Sequence, residues 1–275
     1  MGEAYLQTPY AKFNRHKERG TYDAETIHNL INTTSVLHVS FTTPDSPFPV
    51  LLPMIGQIGT YAGDASPHLY LHGYVSSRIM NVTSSASSSS SSSSSAGLPM
   101  TVSATKVDGL VLALSPFSHS YNYRSAVVFG RATVLPSLGA DKRTPDPEAL
   151  WAMELITDAV VPGRWAHTRV PPTGAEMQST RILKVAIESA TAKVRVGPPK
   201  DERHDLKDPE VVGKVWAGVV PIWEFFGEPV PSGYEGGKGL ELPEHVGAFV
   251  KNENRNAQEY AVGVASEEIG GEEDE

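Results

Sequence analysis

The chain contains no cysteine, which excludes disulfides, thiolate nucleophiles, iron–sulfur clusters and cysteine-ligated zinc. It has no apolar run approaching the ~20 residues that span a bilayer as a helix. The opening Met1-Gly2-Glu3-Ala4-Tyr5 lacks a basic segment leading into an apolar one, so a cytoplasmic location is expected. Gly2 is not read as a myristoylation site, because no Ser or Thr follows at the sixth position. Basic charge is in short supply: 23 Lys and Arg against 32 Asp and Glu leave a net charge of −9. Much of the acid sits in Glu267-Glu268 and Glu272-Glu273-Asp274-Glu275, which read as a solvated tail. The basic cluster Arg15, His16, Lys17 and Arg19 has no interleaved aromatics, so neither nucleic acid nor membrane is expected as a partner. Gly-x-Ser-x-Gly, a phosphate-binding P-loop and metal-spaced histidines are missing too. Serine hydrolase, P-loop and metal chemistry fall away, and a cofactor or oxygen and nitrogen groups must do any chemistry.

With 275 residues and 40% apolar content, the chain can bury a substantial core. The polar opening, 1–20, reads as an extended arm. Asp23-Ala24-Glu25-Thr26-Ile27-His28-Asn29-Leu30-Ile31 sets apolar residues at helical spacing behind an acidic first turn. Residues 36–43 alternate, with Val36, His38 and Ser40 on one face and Leu37, Val39 and Phe41 on the other. A turn at Pro44-Asp45-Ser46-Pro47 leads to a strand over 48–58, and a turn at Gly63-Asp64-Ala65-Ser66-Pro67 to a strand over 69–73. A helix then opens at Ser76 and Ser77. It is interrupted by a Ser-rich stretch, 84–96, whose serines 87–95 bury too little apolar surface to offset their ordering entropy, so a flexible insertion is expected.

Strands are expected over 100–105 and 109–114, joined by a tight Asp108-Gly109 turn, and again over 125–135. Asp146-Pro147-Glu148 opens a helix through Leu150, Trp151, Glu154 and Leu155 to Val160, ended by Pro162-Gly163. Residues 182–189 and 191–196 return to β structure. After Gly227 only 246–250 reads as ordered. Many short strands with turn signals imply a mainly β architecture with flanking helices (α+β), closed into a barrel.

The segment Leu69-Tyr70-Leu71-His72-Gly73-Tyr74-Val75-Ser76-Ser77-Arg78 carries the functional signal. A strand ending there places two hydroxyls and a guanidinium at a helix start, where free N–H groups and the helix dipole favour an anion. Arg adds a fork of charged donors. An ordinary N-cap is the simpler alternative. His72 and His119 are the candidate functional imidazoles.

Val50-Leu51-Leu52-Pro53 followed by Tyr70-Leu71-His72-Gly73-Tyr74-Val75-Ser76-Ser77-Arg78 resembles the two FMN-binding segments of the pyridoxamine 5'-phosphate oxidase superfamily. Asn122-Tyr123-Arg124-Ser125-Ala126-Val127-Val128-Phe129-Gly130-Arg131-Ala132 is similar to a strand of its flavin-nucleotide-binding branch, which includes nitroimidazole-resistance proteins. Pro162-Gly163-Arg164-Trp165, Ala192-Lys193-Val194-Arg195-Val196-Gly197-Pro198-Pro199 and Val215-Trp216-Ala217-Gly218-Val219-Val220-Pro221 follow in the same order. The resemblance implies a homodimeric FMN-binding split β-barrel over 21–231, with a Gly/Pro-rich and acidic extension over 232–275. It implies FMN phosphate at Ser76, Ser77 and Arg78, and the flavin ring along Leu51, Leu52, Pro53 and Met54. His72 would touch the cofactor, Arg124 and Ser125 would come from the partner subunit, and Tyr123 and Trp216 would stack or shield.

Pro53 stands where the oxidases carry lysine and Phe48 where they carry arginine, and their pyridoxal-reading segment is missing, which argues against classical pyridoxamine phosphate oxidation. The expected activity passes electrons from a small reduced donor through FMN to a small oxidised acceptor. The alternatives are a non-enzymatic flavin carrier or sensor, and a haem-binding relative with His72 or His119 as axial ligand.

Overall fold

The computed structural model describes residues 3–74, 77–89, 97–141, 143–237 and 239–266. Ser76, the serines 90–95 and the acidic tail lie outside the described residues. The chain forms two compact units, Met1–Thr105 with Ser125–Ala192, and Lys106–Arg124 with Lys193–Glu275.

In the first unit, α1 (Ala24–Asn32) starts where the sequence places it. The Asp23 carboxylate accepts the Thr26 N–H at 2.8 Å, and the helix buries Ile27, Leu30 and Ile31. Strand β2 (Leu37–Phe41) keeps the expected alternation, with Leu37, Val39 and Phe41 inward. The strand expected over 48–58 is two strands, β3 (Val50–Met54) and β4 (Gly56–Gly59), broken at Ile55. β3 pairs with β2, and β4 with β5 (His68–Tyr74). Pro53 has no N–H to give a second neighbour, which suits β3 to the sheet edge. At Gly56 a Cβ would lie 2.5 Å from Leu71 Cδ2 and 2.6 Å from Tyr70 O, so only glycine lets β4 lie this close to β5.

The strand order is β3-β2-β6-β7-β8-β5-β4, with β6 (Leu98–Leu112), β7 (Ser120–Val134) and β8 (Thr180–Arg195) as long central strands and β1 (Gly20–Thr21) on β8. The registers of β2 with β3 and β6, of β4 with β5, and of β5 with β8 are antiparallel. Leu37, Val39, Leu69, Leu71, Val102, Val128, Leu183 and Val185 form the main core. A second apolar cluster of Tyr70, Ala149, Ala152, Ile156 and Ile182 lies under α3 (Pro147–Val160), which Asp146 caps as expected.

Helix α2 (Arg78–Ser89) corrects the expected interruption at residue 84. The hydroxyls of Thr83, Ser84 and Ser85 each donate to the carbonyl four residues back, at 2.7, 2.9 and 3.0 Å, so these polar side chains are satisfied within the helix. The short α4 (Gly174–Ser179) begins with a reciprocal Thr173 and Glu176 capping box.

In the second unit, Asp108-Gly109 is not a turn: both lie inside β6, and β9 (Gly218–Pro221) pairs with its residues 109–112. Asp108 is held in strand conformation by Arg124, and Gly109 faces β9 so closely that a Cβ would lie 2.9 Å from Val219 Cγ1. The two strands expected over 182–196 are likewise one continuous strand, β8, with Ser189 and Ala190 buried in it. Arg195 is buried and donates to Asn122, Gly197 O and Pro198 O, which accounts for the Arg-Val-Gly-Pro-Pro segment as a structural anchor. Besides α5 (Pro209–Lys214), the unit contains α6 (Glu244–Ala265), far longer than the ordered stretch expected over 246–250. It buries Ala261 and Val264, and the Asn254 amide pairs with both backbone groups of Phe226 at 2.7 and 2.9 Å. No helix among the described residues is long and apolar enough to cross a membrane.

Candidate functional site

Strand β5 ends at Tyr74 and α2 opens at Arg78, so Ser77 stands at the helix start as the sequence implied. A Cβ on Gly73 would lie 2.5 Å from Met80 Cε, 3.5 Å from Met54 Cε and 3.9 Å from Ser77 Oγ, which shows how tightly β3, β5 and α2 converge. Ser77 uses its main chain conventionally, its N–H donating to Tyr74 O at 3.0 Å and its carbonyl accepting from Met80 and Asn81. Its Oγ is buried and meets no hydrogen-bond partner among the described residues. Such a group costs stability unless something satisfies it.

Arg78 is not free in this state. Its Nη2 donates to Thr43 Oγ1 at 2.8 Å and to Asp45 Oδ1 at 2.6 Å. The bonds from Thr43 and Arg78 hold the Asp45 carboxyl below its usual range. Asp45 is 74% exposed, so solvent screens this pair and a better anion can displace it. Alongside, Val50, Leu52 and Met54 of β3 pack partly buried against the main core, while Leu51, 61% exposed, and Pro53 face outward. Ser125, at the start of the first unit's share of β7, is half-buried.

His72, next to Gly73 but on the opposite face of β5, lines a cavity of about 510 Å3. Its N–H donates to Ile55 O at 3.1 Å, which fixes the strand beside the β3–β4 break. Met153, Ile156, Thr157 and Val160 of α3 form an apolar wall, and Arg164, Trp165 and Arg169 line the same space. His72 is exposed at the mouth, yet the surrounding walls desolvate its ring and push its pKa down, favouring the neutral imidazole. Arg169 is paired with Glu176, whose carboxyl it holds down to about 2.

Four site candidates belong to the second unit. Arg124 donates to both Asp108 oxygens, at 3.0 and 2.7 Å, and stacks 3.7 Å above the Tyr260 ring. Tyr123 is half-buried beside it. Trp216, 65% exposed, packs on Gly218 and lines a groove with Leu114, Asp201 and Val212. His119 is exposed, with its Nδ1 2.8 Å from Ser115 O.

A polar cluster beneath α3 was not anticipated. Tyr70, fully buried, donates to Glu148 Oε1 at 2.8 Å and reaches Asp64 Oδ2 at 3.4 Å. Lys184 Nζ lies 2.6 Å from Glu148 and 2.9 Å from Asp64, and His68 Nδ1 lies 3.3 Å from Asp64. Burial, reinforced by the bonded Glu148, pushes the Tyr70 pKa up, and burial pushes that of His68 down. Burial also opposes charge on Lys184, but its two carboxylates outweigh that and raise its pKa. The sequence carried one signal for this cluster: His68, Tyr70 and His72 share one face of β5, opposite Leu69 and Leu71.

The mainly antiparallel sheet with its flanking helices has the make-up of a split barrel. The family model for pyridoxamine 5'-phosphate oxidase matches residues 23–194, and the chain belongs to that family. Among solved structures, the flavocytochrome Anf3 from Azotobacter vinelandii is 24% identical with a TM-score of 0.68, the match covering 88% of this chain and 97% of that one. The FAD and haem binding protein from Mycobacterium smegmatis is 27% identical with a TM-score of 0.66, covering 84% and 97%. A search of curated proteins returns no match.

Proposed function

We propose that the chain is a flavin-binding redox protein that holds the flavin phosphate at Ser77 and Arg78 and the ring along the outer face of β3. The observation that carries this reading is the buried Ser77 Oγ with no partner among the described residues, at the start of α2. A phosphate oxygen satisfies that hydroxyl, and Arg78 exchanges the exposed Asp45 for a stronger anion. The β3 edge offers backbone N–H and C=O groups in fixed positions for the pyrimidine part of the ring. Ser76, the remaining phosphate candidate, lies outside the described residues. The bound flavin, FMN or FAD, supplies one- and two-electron transfer. The chain works as a homodimer, with Arg124 and Ser125 of a second copy completing the site, and passes electrons from a reduced nicotinamide to a small oxidised acceptor such as a quinone or nitroaromatic. The test is an absorption spectrum after loading with FMN or FAD and desalting, then anaerobic NADPH. Retained flavin bands that bleach support the reductase. Retained bands that do not bleach leave a carrier or sensor, and loss of flavin on desalting removes the reading.

A second reading, a haem held in the His72 cavity, has its own support. The cavity is walled by apolar α3 side chains, offers a neutral imidazole as axial ligand, and carries Arg164 for an acidic group, while Arg169 is held by Glu176. The Mycobacterium smegmatis protein, similar over most of this chain, binds both FAD and haem. His119, on an exposed turn, is the weaker ligand candidate. Haemin titration tests this: the haem band should shift and sharpen with the unchanged chain and with His119→Ala, and fail to do so with His72→Ala. Equal binding by His72→Ala removes His72 as the ligand.

A further inference from the structure

We propose that Tyr70, Trp151 and Tyr61 form a one-electron relay between the His72 cavity and the protein surface, with Glu148 as the proton acceptor for Tyr70. The purpose assigned to the relay rests on the redox reading above, but its chemistry does not need the cofactor. The three rings form a continuous series: the Tyr70 and Trp151 centroids are 5.2 Å apart in an edge-to-face contact, and those of Trp151 and Tyr61 are 5.5 Å apart. The inner end is sealed, since Tyr70 has no exposed surface. The outer end is open, since Tyr61 is only half-buried and Trp151 lines a surface groove with Gln57, Glu154 and Asp158.

Tyr70 is joined to the cavity through neighbours that it shares with it. His72 follows it by two residues on the same face of β5, a rise of roughly 7 Å. Ile156 packs in the cluster around Tyr70 and also lines the cavity.

A buried tyrosine gives up an electron readily only if its phenolic proton has somewhere to go. Here the O–H already points at Glu148 Oε1, 2.8 Å away. Lys184 is bonded to both Glu148 and Asp64 and keeps the two carboxylates in place. The inner step therefore balances: a one-electron oxidant formed in the cavity from a haem and a peroxide takes an electron from Tyr70. The Tyr70 O–H bond breaks and a Glu148 O–H bond forms, leaving a neutral tyrosyl radical. Trp151 returns the electron, Glu148 returns the proton, and the resulting Trp151 radical cation is reduced through Tyr61, whose phenolic proton goes to solvent. A small reductant of the ascorbate or thiol class refills the surface end. The relay carries stray oxidising equivalents out of the cavity instead of letting them damage its walls.

The test uses the full chain without cofactor, oxidised by a flash-generated ruthenium(III) tris-bipyridine with persulfate as electron sink, and read by freeze-quench electron paramagnetic resonance. The chain has ten tyrosines, so the signal is assigned by substitution. Tyr70→Phe, which keeps the ring, should lose most of a rigid tyrosyl signal. Trp151→Leu should slow its appearance, and Glu148→Gln should slow it and change its dependence on deuterated solvent, an effect that a merely structural role for Glu148 does not produce. A full-strength signal in folded Tyr70→Phe overturns the proposal. If Tyr70→Phe does not fold, an unaltered rate and solvent isotope dependence in Glu148→Gln overturns it. The radical formed by the flash but absent when the haemin-treated chain meets peroxide would instead remove the haem reading and leave the relay standing.

Discussion

Replacing Ser77 with alanine should move stability and ligand affinity in opposite directions. In the free protein the Ser77 Oγ is buried and unpartnered, and an unsatisfied buried polar group costs roughly 1–3 kcal/mol. Ser77→Ala removes that cost without opening much space, so the flavin-free protein should gain stability up to about that amount. For a unit of this size each kcal/mol corresponds to about 2–4 °C in melting temperature. The same hydroxyl, bonded to a phosphate, contributes as a charge-assisted hydrogen bond of about 1.5–3 kcal/mol. Flavin affinity should therefore fall roughly 10- to 100-fold. The assay pairs calorimetric melting of the flavin-free protein with fluorescence titration of FMN and FAD. A variant that melts lower, by the ~0.5–2 kcal/mol typical of a lost helix cap, and binds flavin as well as the parent would show Ser77 to be an ordinary N-cap and refute the reasoning.

Arg78→Ala should weaken flavin binding by about 1.5–3 kcal/mol while barely changing the stability of the free protein, because the Asp45 pair it breaks is solvent-screened; titration and melting of one sample check both. Burial lowers the pKa of His28, His68 and His72 from the ordinary 6.5, so the unfolded chain binds more protons just below that value. Their contribution is complete above about pH 6.5 and is lost as the pH falls below it; the urea midpoint should drop between about pH 7 and pH 5.5, less so in His72→Gln, and a flat profile would contradict it. Asp108→Asn should destabilise the second unit by about 3 kcal/mol, since it strands the half-buried Arg124; chemical unfolding followed by proteolysis of residues beyond Lys193 reads this.

The elements legible in the sequence are those fixed by near neighbours. Asp23 and Asp146 cap their own helices, and the alternation of β2 reports which face is buried. The misread elements depend on distant partners. Asp108-Gly109 has the composition of a turn, but Arg124 and β9 make it strand. The split between β3 and β4 follows from Pro53 at an edge and Gly56 pressed against β5. Helix α6 is polar enough to look unstructured, and its order comes from Ala261, Val264 and the Asn254 clamp on Phe226. At the site, Ser77, Arg78 and His72 were visible from a strand running into a helix start. The Asp45 contact to Arg78, the α3 wall around His72 and the Lys184 cluster join residues far apart in sequence, and no local pattern announces them.

The central claim is a flavin phosphate site at the start of α2, and phosphorus NMR of the chain loaded with FMN tests it most directly. The account predicts a bound phosphate resonance shifted and broadened relative to free FMN, lost or strongly weakened in both Ser77→Ala and Arg78→Ala. A bound resonance identical in the parent and in both variants would place the phosphate elsewhere and contradict the account.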